Sequence, residues 1–309
     1  MTATQPKPVN RTLGFLACAL ASTFWGCGFY FGKIALAEMN VGAMVLYRFL
    51  FATLGLLPLL VTHRPRFSAA EWRTLALASL LGVPMLYLCE FRGLALTTVS
   101  HGSLMVGVTP MVLALGAVLL AHEHLPAIGW IALVASTVGA ALIALGGSHK
   151  PTAHGPTLLG DLIIGGSTVL ALFWILLNKR LMVAHNPITV TAWGLLLGTL
   201  MLALWVPLTW GVPPVHGISR NAWLALIASG LLCTTTTTLL WNWGLTQVPA
   251  SQAGVLLNME PLIGSLLGIY LLGEHLGLLA WLGGALILGG AVVITTRRPD
   301  PQPIAPLLL

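Results

Sequence analysis

The sequence predicts an all-α integral membrane protein, ten transmembrane helices arranged as two inverted five-helix repeats. Three observations carry that expectation. The 309 residues are 57% hydrophobic and only 7% charged, against roughly 25% charged residues in a soluble domain. Apolar stretches long enough to cross about 30 Å of hydrocarbon as helices recur along the whole chain. The tail also repeats the middle. From Gly93 the chain reads GLALTTVSHGSLMVGVTPMVLALGAVLLAHEHLPAIGW, and from Gly244 it reads GLTQVPASQAGVLLNMEPLIGSLLGIYLLGEHLGLLAW. At one offset of 151 residues (274 − 123), Gly93 falls on Gly244, Ser100 on Ser251, Pro110 on Pro261, Glu123 on Glu274 and Trp130 on Trp281.

The apolar stretches follow in order. Residues 13–32 come after a polar tail, 1–12, and hold Phe24-Trp25-Gly26. No small-residue cleavage site precedes Lys33 and further spans follow, so this stretch reads as a retained helix rather than a signal peptide. Residues 42–62 carry Tyr47-Arg48-Phe49, and 74–93 end in Glu90 and Arg92. Residues 101–121 and 126–146 flank His122-Glu123-His124 and complete the first repeat, 13–146. Beyond Pro151 and Pro156, residues 158–178 and 187–209 divide near Pro187. Pro213-Pro214 precede 222–243, which hold five consecutive threonines, Thr234 to Thr238, and then Trp241. Pro249 precedes 252–272, with Glu260-Pro261 inside, and 277–296 close the second repeat, 158–296, before the tail 297–309.

Orientation follows from the basic residues. With both termini cytoplasmic, the inner segments carry nine (Lys7, Arg11, Arg64, Arg66, Arg73, Lys179, Arg180, Arg297, Arg298) and the outer ones three (Lys33, Lys150, Arg220). This asymmetry satisfies the positive-inside rule. Five spans per half is odd, so the second half enters the bilayer upside down. The net charge of +6 is then a topology signal and not a nucleic-acid footprint. Cys18, Cys27, Cys89 and Cys233 lie in apolar segments and read as small buried thiols, not a disulfide framework.

Duplicated apolar halves are the frame of secondary transporters, with the substrate site between the repeats. The chain resembles the drug/metabolite transporter superfamily in its ten-span EamA branch. The marks are Phe24-Trp25-Gly26 echoed by Phe173-Trp174, Tyr47-Arg48-Phe49, the Gly-Leu-x-x-x-x-x-Ser stretches, and the pattern running from Pro110 to Glu123 and from Pro261 to Glu274. The resemblance implies proton-linked or exchange-type movement of small metabolites, commonly amino acids, outward across a bacterial inner membrane.

Glu260 is the candidate for proton coupling. It lies about eight residues into its span, roughly 12 Å deep at 1.5 Å per residue, where an ionised carboxylate costs about 2.5–3.5 kcal/mol. Its repeat mate is Thr109 (260 − 151), so the acid occurs once in a symmetric frame. The alternative is a carboxyl that fastens helices through an Arg. Pro110 and Pro261 are expected mid-helix, freeing the carbonyls of Val106 and Leu257 and forming hinges or static kinks. Arg48 and Arg92 are candidates to grip a substrate carboxylate with a guanidinium fork; an internal salt bridge and snorkelling are their structural alternatives. Tyr87 and Glu90 share a helical face, as do Thr234, Thr238 and Trp241, although threonines also bond their own backbone. Trp25 and Trp174 complete a candidate aromatic lining.

Other chemistry is poorly represented. His122-Glu123-His124 reads as a turn and helix start rather than a metal site. No His-Glu-x-x-His, Gly-x-Ser-x-Gly or Walker-type motif occurs, so an intramembrane enzyme and an ATP-driven pump are disfavoured. No cofactor is expected; the expected partners are a small solute, the lipid bilayer and protons. A passive facilitator and a lipid or polyprenol flippase of the same superfamily are the competing readings. Gly28/Gly32, Gly194/Gly198 and Gly264/Gly268 have the spacing of close helix contacts within a monomer or a weak dimer.

Overall fold

The computed structural model describes residues 10–96, 106–107, 109–120, 124–146, 158–272 and 278–296. Among these the chain is helical: α1 (Arg11–Leu36), α2 (Val41–Thr62), α3 (Ala69–Leu80), α4 (Leu86–Leu96), α5 (Thr109–Leu120), α6 (Ala127–Gly146), α7 (Leu158–Ala184), α8 (Pro187–Trp210), α9 (Arg220–Gly230), α10 (Thr237–Leu245), α11 (Ala250–Leu256), α12 (Met259–Leu272) and α13 (Leu278–Thr296). Side-chain caps start several of them. Asn10, Asn40, Ser68, Asn186 and Ser219 each accept a backbone N–H of the first turn, satisfying donors that have no intrahelical acceptor.

The polarity is inside out. Arg48, Thr53, Thr199, Thr234, Asn242 and Asn258 are buried, while Val61, Leu119, Ile131, Leu204 and Leu208 face outward. That is the distribution a hydrocarbon surround requires. Six helices among the described residues are long and apolar enough to cross a bilayer: Arg11–Leu36, Val41–Thr62, Ala69–Gly93, Leu162–Ala184, Pro187–Trp210 and Arg220–Leu245. The other apolar helices, Thr109–Leu120, Ala127–Leu142 and Trp281–Ile294, are shorter. Six long helices, not ten, therefore emerge from the described residues. The expected ninth span is two pieces, α11 and α12, and Glu123, Glu274 and His275 fall outside the described residues.

α2 and α8 cross antiparallel, and the crossing pairs related positions. Thr53 Oγ1 and Thr199 Oγ1 share a hydrogen bond of 2.7 Å, and the Thr199 hydroxyl also lies 2.8 Å from the Leu195 carbonyl. At one end of the pair the Tyr47 hydroxyl donates to Pro214 O (2.9 Å); at the other the Trp193 indole donates to His63 O (3.0 Å). Tyr47 and Trp193 are 146 residues apart, as are Thr53 and Thr199. Tyr47 packs edge-on against Trp223 and Trp193 against Trp72. These two tryptophans are 151 apart, the offset of the sequence repeat.

Two further features share that offset. α3 passes into α4 through a π-helical turn, Leu81–Met85, and α9 into α10 through another, Leu231–Thr236. The amide of Leu86 donates to Leu81 O and Val83 O, and that of Thr237 to Leu232 O and Thr234 O, the same bonds shifted by 151. The starts of α3 and α9 are tied in parallel fashion. Ser68 caps α3 in a capping box with Glu71, whose carboxylate also contacts His185 of the α7–α8 connection at 2.7 Å. Ser219 caps α9 and donates through its amide and hydroxyl, both at 2.6 Å, to Glu38 of the α1–α2 connection.

The Thr53–Thr199 bond should contribute a coupling energy of about 0.6 kcal/mol, typical of hydrogen bonds between membrane helices. A double-mutant cycle with Thr53→Val and Thr199→Val, read by unfolding in detergent, measures it. Glu38 is held below the ordinary carboxylate range by the Ser219 hydroxyl and then by its amide. Its contribution is therefore present above the unfolded-state value and lost as pH falls through the lower folded value. The destabilisation caused by Glu38→Gln should accordingly be seen at neutral pH and disappear in acid.

Candidate functional site

One cavity brings together three charged side chains of the spans, Arg48, Glu90 and Glu260. Trp25 and Gly28 of α1, Arg48 of α2, Tyr87, Glu90 and Phe91 of α4, Ser167, Thr168 and Trp174 of α7, Val106, Thr109, Leu257, Glu260 and Pro261 line it. The space open to the centre of a water molecule is about 80 Å³, enough for several waters or one small solute. Val106 and Leu257 are repeat mates, as are Thr109 and Glu260 (both 151 apart), so the cavity lies where the two halves meet.

Glu260 reaches it because the chain breaks beside it. Leu257 N donates to Gly254 O (3.1 Å), Asn258 N to Val255 O (3.3 Å) and Glu260 N to Leu257 O (3.0 Å). These tightened bonds end α11 and begin α12. Pro261 is therefore the third residue of a helix, not a mid-helix residue, and the missing N–H is one that had no intrahelical acceptor. The carbonyl of Leu257 is not left free, because Glu260 N serves it. Pro110 is likewise the second residue of α5 and is buried, outside the cavity lining. The expected mid-helix kinks are thus helix starts, and a carboxylate in the first turn of α12 also suits the helix dipole. Gly26 explains the Phe-Trp-Gly element: a Cβ there would come within 2.6 Å of Glu260 O, so only glycine lets α1 lie against this break.

Arg48 is 3% exposed. Its Nε donates to Thr234 Oγ1 at 2.7 Å and its Nη2 to Cys233 O at 3.1 Å, and its guanidinium lies 5.0 Å over the Tyr87 ring. It makes no contact ion pair with Glu90 or Glu260 among the described residues. The threonine run is occupied by the π-helical turn. Thr234, Thr236 and Thr237 hydroxyls donate to Ser229 O, Leu231 O and Leu232 O, each five residues back, and Thr235 donates across to Ala52 O.

The aromatic wall is built edge to face. Trp25 meets Trp174 at 6.5 Å and Trp241 at 5.4 Å, and Phe49 meets Tyr87 at 4.9 Å. Trp174 sits on the first π-helical turn, where a Cβ on Gly82 would overlap its indole.

Of the residues singled out from sequence, Trp25, Arg48, Tyr87, Glu90, Trp174, Glu260 and Pro261 line the cavity. The others lie elsewhere. Arg92 is exposed, with its guanidinium 5.8 Å over Trp210, the snorkelling arrangement of a residue near a helix end. Thr234 is bonded to Arg48, Thr238 is buried outside the lining, and Trp241 is 0% exposed behind Trp25. Sequence reasoning missed Phe91, Ser167 and Thr168. Ser167 stands seven residues before Trp174 on the same face of α7, so helical spacing back from that tryptophan is the signal that finds it, whereas Thr168, six residues before, is off that face.

This arrangement can be set beside known proteins. The model of the EamA-like transporter family matches residues 12–145 and again 158–296. The chain belongs to that family. An uncharacterized transporter of Archaeoglobus fulgidus is 25% identical over 285 residues, 92% of this chain and 97% of that protein. The uncharacterized transporter YetK of Bacillus subtilis is 24% identical over 96% of this chain and 92% of its own length. A solved structure described only as that of a protein superposes with a TM-score of 0.77 at 18% identity, covering 93% of this chain and 99% of the other; it shows the fold. The protein is thus a multi-pass membrane protein of a transporter family.

Arg48→Lys keeps the charge but not the planar set of donors. It should lose about 1.5–3 kcal/mol for each charged hydrogen bond given up. The readout is a lower unfolding temperature of the purified protein, and Thr234→Val should reproduce part of it.

Proposed function

We propose that this EamA-family protein is a secondary carrier. In this reading two inverted five-helix halves, ten spans in all, move a small metabolite, amino acids first among the classes, by alternating access. The observation that carries the proposal is the cavity at the meeting of the halves, where Glu90, Glu260 and Arg48 share a space walled by Trp25, Trp174 and Tyr87. A carrier needs a polar site near mid-membrane that each half can uncover in turn. The antiparallel α2–α8 crossing and the repeated π-helical turns support an inverted relation of the halves. Placement in a bacterial inner membrane with both termini cytoplasmic agrees with the basic-residue asymmetry, and outward transport is the direction carried over from the resemblance.

Glu260 is the proposed proton carrier, sitting at a helix break with its carboxyl toward the cavity. Pro110 and Pro261, at the starts of α5 and α12, are proposed to fix where those helices begin and so act as pivots. Energy comes from the proton gradient or from the solute's own gradient.

Counterflow in proteoliposomes tests the reading. Vesicles loaded with an unlabelled amino-acid mixture should accumulate labelled amino acids saturably, and a pH step should change the rate. Glu260→Gln should abolish pH-driven accumulation while exchange persists at raised solute concentration. Unchanged pH dependence in that variant removes the proton role, and non-saturating flux points instead to a passive facilitator.

A further inference from the structure

The cavity holds more acid than base. Glu90 and Glu260 both face it, with Arg48 the single cation among the lining residues. With both carboxyls ionised the formal charge is −1 (two acids less one base). Arg48 is moreover partly engaged. Its Nε and Nη2, the edge that grips a carboxylate side-on, are donated to Thr234 and to Cys233 O, and its face lies over Tyr87. Neither carboxyl has a contact ion pair or hydrogen bond among the described residues. Around them stand Trp25, Tyr87, Phe91 and Trp174, rings whose faces attract cations.

Resting on the carrier reading above, we propose that this site recognises an organic ammonium group, with Glu90 and Glu260 as its counter-charges, and that a proton and the ammonium compete for the same pair of carboxyls. A monocation brings the cavity to formal neutrality, whereas a monoanion brings it to −2 and a zwitterion leaves it at −1. A proton achieves the same neutrality as the cation. The site therefore holds one or the other, and alternation of the two across the bilayer is cation/proton exchange. No bond is made or broken beyond the proton leaving a carboxyl as the ammonium arrives. Among the described residues lining the cavity the other ionisable groups are Arg48 and Tyr87, with the Cys233 thiol close to Arg48, Glu260 and Cys27. The described parts of α5, α6, α11 and α13, which pack around the break, carry no ionisable side chain. A solute carboxylate would meet only the N–H groups that Arg48 does not already donate and would face two like charges, so amines with an apolar or aromatic body should bind better than the corresponding amino acids.

Three probes of one shape separate the possibilities: 2-phenylethylammonium, 3-phenylpropionate and L-phenylalanine, each measured for binding to the purified full-length protein by equilibrium dialysis. The amine should bind at least tenfold more tightly than either of the others. In the acid limb its affinity should fall about tenfold per pH unit, as one-for-one proton competition requires, and binding in weak buffer should release protons. Glu90→Gln and Glu260→Gln should each weaken the amine tenfold or more and abolish the proton release, without favouring phenylpropionate less. Because the isostere comparison needs only the wild-type chain, a variant that fails to fold does not remove the test. Phenylpropionate or phenylalanine binding as tightly as the amine overturns the proposal, as does amine binding without proton release. Counterflow with the same probes separates the two readings. Exchange of phenylalanine but not of the amine leaves the carrier and removes the ammonium site. Amine binding with proton release but no exchange of any probe leaves the site and removes the carrier.

Discussion

A guanidinium buried among apolar helices must be given partners, and the way this requirement is met at Arg48 organises the centre of the molecule. The cost of an unpaired charge in hydrocarbon is several kcal/mol, so the side chain of α2 cannot stand alone. Its donors are taken by Thr234 Oγ1 and Cys233 O of the turn between α9 and α10. An ordinary α-helix has no spare carbonyl to offer there. The π-helical turn does, because widening the ladder to five-residue bonds releases carbonyls from their usual amides. Arg48 takes one of them, and the threonine hydroxyls take others. The tie joins the first half of the chain to the second and leaves Glu90 and Glu260 facing the cavity without a fixed counter-ion among the described residues.

The two π-helical turns show how one architecture is reached from different residues. At equivalent positions, 84 and 235 (151 apart), the first half has Pro84 and the second Thr235. A proline has no amide to donate and crowds the preceding turn, which a widened turn accommodates. Threonines instead supply hydroxyls for the carbonyls that the widening releases. The first turn receives Trp174 over Gly82, and the second receives Arg48. A symmetric backbone thus presents an aromatic wall on one side and a cation on the other.

Asymmetry in the lining follows from the same pattern. Tyr87, Glu90 and Phe91 face the cavity, while their mates Thr238, Trp241 and Asn242 do not. Trp241 packs behind Trp25, and Asn242 donates to Thr191 Oγ1 at 2.8 Å. Tyr87 and Glu90 stand three apart in unbroken α-helix after the first π-helical turn, and both line the cavity. Thr238 and Trp241 keep the same spacing in α10 and stay outside the lining, with Trp241 packed against Trp25, whereas Thr234 lies inside the second turn. One extra residue there rotates everything that follows, so a face drawn with α-helical periodicity is not the face the helix presents.

The amino-acid sequence by itself determined the membrane environment, the duplication with its offset of 151, and the polar residues that no bilayer would tolerate without a reason. Those properties depend on composition and order alone, since the cost of a charge in hydrocarbon does not depend on which neighbour relieves it. Tertiary structure decided which neighbour does. It turned the expected proline kinks into helix starts, because the break at Leu257–Asn258 satisfies its amides by tightened local bonds that no residue pattern announces. Placing Arg92 against Trp210 outside the cavity, and Arg48 against a widened turn of a distant helix, was likewise a matter of rotation and depth. Those quantities are fixed only when the helices pack.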